Sequence, residues 1–253
     1  MTTSTRMAAI LMTTGALLLT SSPAHAQGVW TTVPSPNEPG NNYLYGADAS
    51  DAGHVWAVGR LYARSGGGRS IVLRHDGTAW QPAPRSGFPG NDGLLDIDAV
   101  SSDEAWAAGD SSPQLNRSDT LVARWNGSMW TPEPTPNGNP SGKNYLSGVA
   151  AAGGTVWAVG SYIEPGSSYN RDALILQRTG GTWQVSPAPR VLVTDFLEGV
   201  DTTGPSDAWA VGWASNDITP GPSRRSRCTG TAPAGSRCRR RAREARSCTR
   251  STR

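Results

Sequence analysis

The sequence predicts an all-β protein, a β-propeller of four-stranded blades with a repeat of about 51 residues, and three observations predict it. A Trp-Ala-Val-Gly phrase, with Ala for Val in its second copy, recurs at residues 56–59, 106–109, 157–160 and 209–212, at spacings of 50, 51 and 52. Each phrase sits in a unit of short apolar runs separated by turn-forming residues. A further tryptophan closes the unit, at Trp80, Trp130 and Trp183. A supersecondary unit of about 40 to 50 residues with a tryptophan-glycine signature is the sequence form of a propeller blade.

Residues 1–26 read as a signal peptide rather than as part of the fold. Arg6 gives a positive start, residues 7–19 form a mostly apolar stretch too short to span a bilayer, and Ala24-His25-Ala26 is an Ala-x-Ala cleavage site before Gln27. The expectation is a secreted, extracellular chain cleaved near Ala26, with no later transmembrane segment. Residues 27–220 then form an incomplete set of propeller repeats that contains no cysteine. Their stability must come from blades burying their faces on one another.

Within each unit the first strand is marked by a leucine: Leu44, Leu95, Leu146 and Leu197, 51 residues apart each time. A short polar turn, such as Ser101-Ser102-Asp103-Glu104, leads into the Trp-Ala-Val-Gly strand. The third run, residues 70–74, 120–124 and 173–177, is apolar and β-branched enough for a buried strand. It ends in Asp76-Gly77, Asn126-Gly127 or Gly180-Gly181, dipeptides that accept positive φ in a two-residue hairpin turn. The fourth strand begins at Trp80, Trp130 or Trp183 and runs into Pro-x-Pro.

Once-per-blade tryptophans serve packing, which assigns Trp56, Trp80, Trp106, Trp130, Trp157, Trp183 and Trp209 to the repeat core. Trp30 reads as the fourth-strand member of a unit whose earlier strands are missing. Trp125 and Trp213 stand outside the pattern and are candidates for contact with something else, although Trp125 beside a hairpin turn also suits cross-strand packing. Closed propellers use about four to eight blades. This sequence shows three whole units, the Trp30 strand and an opening half-unit at residues 196–212. Open sheet edges predict self-association and poor soluble yield.

Composition changes abruptly near residue 220. Residues 221–253 hold eleven arginines, one acid (Glu244) and all three cysteines, Cys228, Cys238 and Cys248, with almost no aliphatic side chains. The tail therefore carries +10 of a total of +3, leaving −7 for everything before it. A basic arm is one reading; a metal site is disfavoured, because zinc sites use close cysteine pairs. A third reading comes from the genetic code. Arginine outnumbers lysine 22 to 1, as in a GC-rich gene. Read from the third base of each preceding codon, residues 227–235 permit Leu, His or Tyr, Trp, Asn or Asp, Gly, Thr, Ser, Trp. That string matches the Leu73-to-Trp80 hairpin, and its last tryptophan falls 52 residues after Trp183. A frameshift that replaced the rest of the propeller with an out-of-frame, disordered tail is therefore expected.

The Leu-x-Gly-Val, Trp-Ala-Val-Gly and Asn-Gly-Ser-x-Trp phrases resemble those of secreted bacterial β-propeller repeat proteins of the kelch and galactose-oxidase-like kind, over residues 27–212. Asp76-Gly77-Thr78-x-Trp80 also looks like part of the Asp-box hairpin of sialidase-type propellers, though Arg74 stands where Ser or Thr would precede the Asp and no residue separates Asp76 from Gly77. Both motifs imply blade geometry rather than catalysis. The copper site of galactose oxidase-like proteins needs histidines and a cysteine joined to a tyrosine, but only His54 and His75 follow the leader and the blades have no cysteine. A sialidase-like site would draw on Arg60, Arg69, Arg117, Arg171, Tyr62 and Tyr162, and no spacing selects them. Paired carboxylates are equally unconstrained, since Asp96, Asp98 and Asp103 read as solvated loop or strand-edge charges.

Connections between second and third strands and between blades read as long, and in a propeller these share a face. They carry Tyr62, Arg64, Asp110, Asn116, Arg117, Tyr162, Glu164, Tyr169, Arg171 and Trp213, a mixture of aromatic and hydrogen-bonding groups suited to an extracellular glycan or protein. Plain solvent-exposed connectors would have the same composition. The expectation is an exported, non-catalytic binding or scaffold module with no cofactor, no metal and no nucleic-acid partner. The alternatives are a propeller glycosidase or sialidase-like enzyme lacking part of its site, and a non-functional product of a frameshifted gene.

Overall fold

Strand pairing follows sequence order throughout, as the repeat demands. The computed structural model describes residues 32–64 and 66–216. The expectations for the leader, for Trp30, and for the chain from residue 217 onward lie outside them. The chain divides into two units, and every strand named below belongs to the second, Pro34–Arg253. The first blade is β1 (Asn41–Asp51), β2 (His54–Tyr62), β3 (Gly68–His75) and β4 (Trp80–Pro82). The second is β5 (Asp92–Ala99), β6 (Ala105–Gln114), β7 (Arg117–Trp125) and β8 (Trp130–Glu133). The third is β9 (Asn144–Ala152), β10 (Thr155–Ile163), β11 (Arg171–Thr179) and β12 (Thr182–Ser186). β13 (Thr194–Gly204) and β14 (Asp207–Ser215) form a two-stranded ribbon among the described residues. Every ladder is an antiparallel meander, so the fold is all-β with four-stranded propeller-type blades.

The second strand of each four-stranded blade, and the third strand of the first two, bury side chains on both faces, and the period-2 alternation of side chains decides what each face meets. Trp56, Val58 and Val72 of the first blade pack with Ala105, Ala107, Leu121, Ala123 and Trp130 of the second. Trp106, Ala108 and Val122 of the second pack with Val156, Ala158, Leu174 and Trp183 of the third. The second-strand tryptophan of one blade thus meets the fourth-strand tryptophan of the next: Trp56 against Trp130 at 5.3 Å and Trp106 against Trp183 at 6.1 Å, both edge to face. Each such ring removes roughly 150–250 Å² from water, a gross gain of roughly 4–6 kcal/mol. Trp157 is likewise buried, whereas Trp209 and Val211, on the β14 face with no further described blade, are 44% and 43% exposed. Trp125 belongs to the core: its ring lies 4.9 Å from Trp56 and its Nε1–H donates to the Ser102 carbonyl at 3.0 Å.

The glycine that ends each Trp-Ala-Val-Gly phrase has one physical cause. A Cβ on Gly59, Gly109, Gly160 or Gly212 would fall on the carbonyl oxygen of Tyr43, Gly93, Tyr145 or Phe196 in the paired strand. There each inner strand carries a β-bulge, with Tyr45, Leu95, Ser147 and Glu198 as the extra residues. This corrects the leucine register. Leu94, not Leu95, pairs with Gly109 and occupies the buried position of Leu146 and Leu197, while Leu95 is the bulge residue.

Two of the three glycine dipeptides also differ from expectation. His75 pairs with Trp80 and Trp125 with Trp130, so those loops have four residues. The Asp76 carboxylate accepts from the Thr78 and Ala79 amides at 2.9 and 3.0 Å, and the Asn126 carbonyl accepts from Ser128 and Met129 at 3.1 and 2.9 Å. The side chain caps a wider loop, leaving one positive-φ glycine. Only Gly180 and Gly181, at φ 60° and 87°, make the two-residue turn.

Polar groups on the inner strands join neighbouring blades. Asp48 accepts the Ala99 amide at 2.7 Å, Asp96 accepts the Val149 amide at 2.9 Å, and Asp98 accepts the Ala151 amide. Asp96 and Asp98 are therefore inter-blade staples rather than solvated edge charges, whereas Asp103 is exposed as expected. Burial raises both carboxyl pKa values, that of Asp98 to about 6, with the Asp48 charge adding to each. Farther out, Glu133 holds Arg178 through two bonds of 2.7 and 3.1 Å and accepts the Trp183 indole N–H at 2.9 Å.

Candidate binding cavity

The bulges that the glycines permit also build the site. An extra residue in a strand re-aims its side chain. Tyr45, Leu95 and Ser147, one from each of the first three inner strands, all line a cavity of about 410 Å³. The walls come from the far ends of the second strands, with Arg60, Tyr62 and Asp110, and from Tyr145, Arg171 and Phe196. In a meander, this end of the sheet also carries the β2–β3 type and inter-blade connections.

The two cations in the cavity are held differently. Arg60 lies 3.7 Å from Asp110 and donates to the Asn91 carbonyl at 3.2 Å, with its plane 5.3 Å from the Tyr62 ring. Burial raises the Asp110 pKa, Arg60 opposing and Asp92 adding to the shift. The Arg171 guanidinium carbon stands over two aromatic rings, 4.9 Å from the Tyr145 centroid and 5.9 Å from that of Phe196, and the side chain donates to Ser161 Oγ at 3.2 Å. Burial, with the neighbouring Tyr62 next, also raises the Tyr45 phenol pKa.

Of the residues chosen from sequence, the cavity brings together Tyr62, Asp110 and Arg171. Trp213 stands behind its wall, stacked on Phe196 at 5.7 Å and 11°. Tyr162 and Glu164 form a second group: the Tyr162 hydroxyl donates to Asp172 at 3.1 Å, Arg190 lies 3.3 Å from Asp172, and Glu164 pairs with Arg190. Burial raises the pKa of Tyr162 and of Asp172. Arg117 is bound to Asp119 at 3.0 Å, Arg64 and Tyr169 are exposed connectors, and Asn116 takes a positive φ of 63° at the β6–β7 tip. Six of the ten, Tyr62, Asp110, Arg117, Tyr162, Arg171 and Trp213, lie on strands rather than loops. The hairpin ladders run beyond the apolar stretch, and in the second blade only residues 115–116 separate β6 from β7.

Sequence reasoning missed Tyr45, Leu95, Tyr145, Ser147 and Phe196, and named Arg60 only as a residue type. The signal was the repeat offset itself. Tyr145 and Phe196 immediately precede the repeat leucines Leu146 and Leu197, and Tyr45 follows Leu44. Among the described residues, no group of three or more His, Cys, Asp or Glu side chains is arranged to hold a metal ion, and no helix is long and apolar enough to cross a membrane.

No family model matches the chain, and no curated protein sequence matches it. Two solved structures resemble it in backbone. One is YCF48 bound to D1 peptide, 13% identical with a TM-score of 0.41, the match covering 75% of this chain and 49% of that one. The other is YCF48 from Cyanidioschyzon merolae, 12% identical with a TM-score of 0.33, covering 83% and 72%. This chain thus spans about half the length of the first.

Proposed function

We propose that the chain is an exported, non-catalytic propeller binding module that holds its ligand in the cavity at the inner-strand bulges. The observation that carries this reading is the convergence of three bulge residues, Tyr45, Leu95 and Ser147, on one aromatic-lined hollow with a few fixed polar groups. Among the described residues, Asp110 is the single carboxylate of the lining and is ion-paired, with no second acid there for a paired-carboxylate hydrolysis. The Tyr45 phenol pKa is raised, the wrong direction for a tyrosine nucleophile. The partner is an extracellular glycan or protein segment. An array of such glycans and peptides, probed with the wild-type chain and with Leu95→Glu, tests the proposal. Binding that Leu95→Glu abolishes supports it; binding that survives the substitution, or turnover of the bound ligand, overturns it.

A second reading is favoured by one observation: β13 and β14 stand as a two-stranded ribbon among the described residues, with Trp209 and Val211 open. We infer that a frameshift separates this ribbon from the strands that would complete its blade, and that the exposed face promotes self-association. Sequencing the encoding DNA from about codon 215 and translating all three frames tests it. Trp-containing repeats continuing in another frame support the frameshift, and their absence from every frame refutes it.

A further inference from the structure

The binding reading leaves the ligand's chemistry open, and Arg171 narrows it. Among the described residues, the cavity lining holds two guanidiniums and one carboxylate, and that carboxylate, Asp110, faces Arg60. Arg60 is further occupied by the Asn91 carbonyl and side-chain oxygens. Arg171 is different, because among the described residues no carboxylate pairs with it and its one hydrogen bond goes to the neutral Ser161 hydroxyl. Its guanidinium is held over the Tyr145 and Phe196 rings.

A guanidinium held over aromatic rings can still offer N–H donors, and a planar fork of N–H groups matches a carboxylate. The side chain is already ordered, so an incoming anion meets a group whose conformational freedom is largely spent. The rest of the chain before residue 221 is acidic, with a charge of −7, so an uncompensated cation at this end of the sheet is not part of a general basic surface. Tyr45, Tyr62 and Leu95 supply broad apolar and aromatic area in the same lining. The volume of about 410 Å³ lies at the low end of the ~300–1,000 Å³ usual for ligand pockets, which suits one or two rings rather than a long chain.

We propose that the cavity takes a ring-bearing carboxylate, with its carboxylate on the Arg171 guanidinium and its ring against Tyr45, Tyr62 and Leu95. This rests on the binding reading above and assigns the ligand class to the same site. The ring can be an acidic sugar or an aromatic acid, since the first presents an apolar C–H face and the second a π face beside a carboxylate, and the experiment separates them.

The test is ligand-observed NMR on the full chain with four probes: glucuronate and its neutral counterpart glucose, and 4-hydroxybenzoate and its neutral counterpart 4-hydroxybenzyl alcohol. One acid should bind at least ~10-fold more tightly than its neutral partner, with an affinity that falls as salt is raised. Arg171→Gln should erase that preference. Arg171→Lys, which keeps the charge without the fork, should retain part of it, and guards against a Gln variant that fails to fold. The class is overturned if neutral rings bind as well as acids, if Arg171→Gln keeps the acid preference, or if neither acid binds while another ligand from the glycan and peptide array does. If no probe and no array ligand binds, the binding reading fails along with it.

Discussion

Gly109→Ala tests the close approach that both register and cavity depend on. The added methyl would collide with the Gly93 carbonyl oxygen and come within 2.9 Å of the Gly93 carbonyl carbon and the Leu94 Cα. All three are backbone atoms, so no rotamer change relieves the clash, and the strands must separate at the bulge. Overpacking costs ~1–3 kcal/mol. Opening the ladder also forfeits about one hydrogen bond, at ~1 kcal/mol. The sum, ~2–4 kcal/mol, should lower the melting temperature by ~4–16 °C at ~2–4 °C per kcal/mol for a chain of this size. Gly204→Ala is the control: nothing lies within 4 Å of its Cβ position, so it should fall within ~0.5 kcal/mol of wild type. Urea unfolding followed by tryptophan fluorescence measures both. If Gly109→Ala unfolds at the wild-type midpoint, the close approach is not present in solution, and the explanation of the repeated glycine fails with it.

Two further outcomes follow from the same packing. A carboxyl with a raised folded-state pKa contributes stability below its unfolded pKa and loses it as pH rises through the folded value. Wild type should therefore lose part of the Asp98 contribution between about pH 4 and pH 6, whereas Asp98→Asn, which keeps an acceptor for the Ala151 amide, should not. Denaturation midpoints of the two proteins across pH 4–7 should shift steadily in favour of the variant, and parallel curves would contradict the burial of that carboxyl. Trp106→Ala, at a fully buried position, should cost ~3–5 kcal/mol, against under ~1.5 kcal/mol for Trp209→Ala on the open ribbon. Equal losses in calorimetry would show that the Trp209 face is covered in solution.

The four-stranded unit and its strand order were legible because the repeat imposes similar burial on each unit, and the tryptophans report it directly. Register was less legible. Leu94 and Leu95 are both leucine, so spacing alone could not tell the buried residue from the bulge, and only pairing with Gly109 separates them. The hairpins after β3 and β7 misled because Asp76 and Asn126 can either sit in a tight turn or cap a wider one, and the choice depends on amides two and three residues ahead. Asp96 and Asp98 looked solvated because their partners lie one blade away. Arg171 was found by its residue type, but its state was not, since the aromatic rings it stands over come from β9 and β13.

The staples between inner strands also set a timetable for synthesis. Asp48 to Ala99, Asp96 to Val149, Asp98 to Ala151 and Ser147 to Leu197 are separated by 51, 53, 53 and 50 residues, so each of these bonds reaches only the next blade. To make these bonds, a nascent blade needs its immediate successor. At ~5–20 residues per second on the ribosome, that successor arrives in roughly 3–10 s. During this interval the newest Trp-Ala-Val-Gly strand has its forward face uncovered, the condition in which Trp209 and Val211 remain on the β13–β14 ribbon.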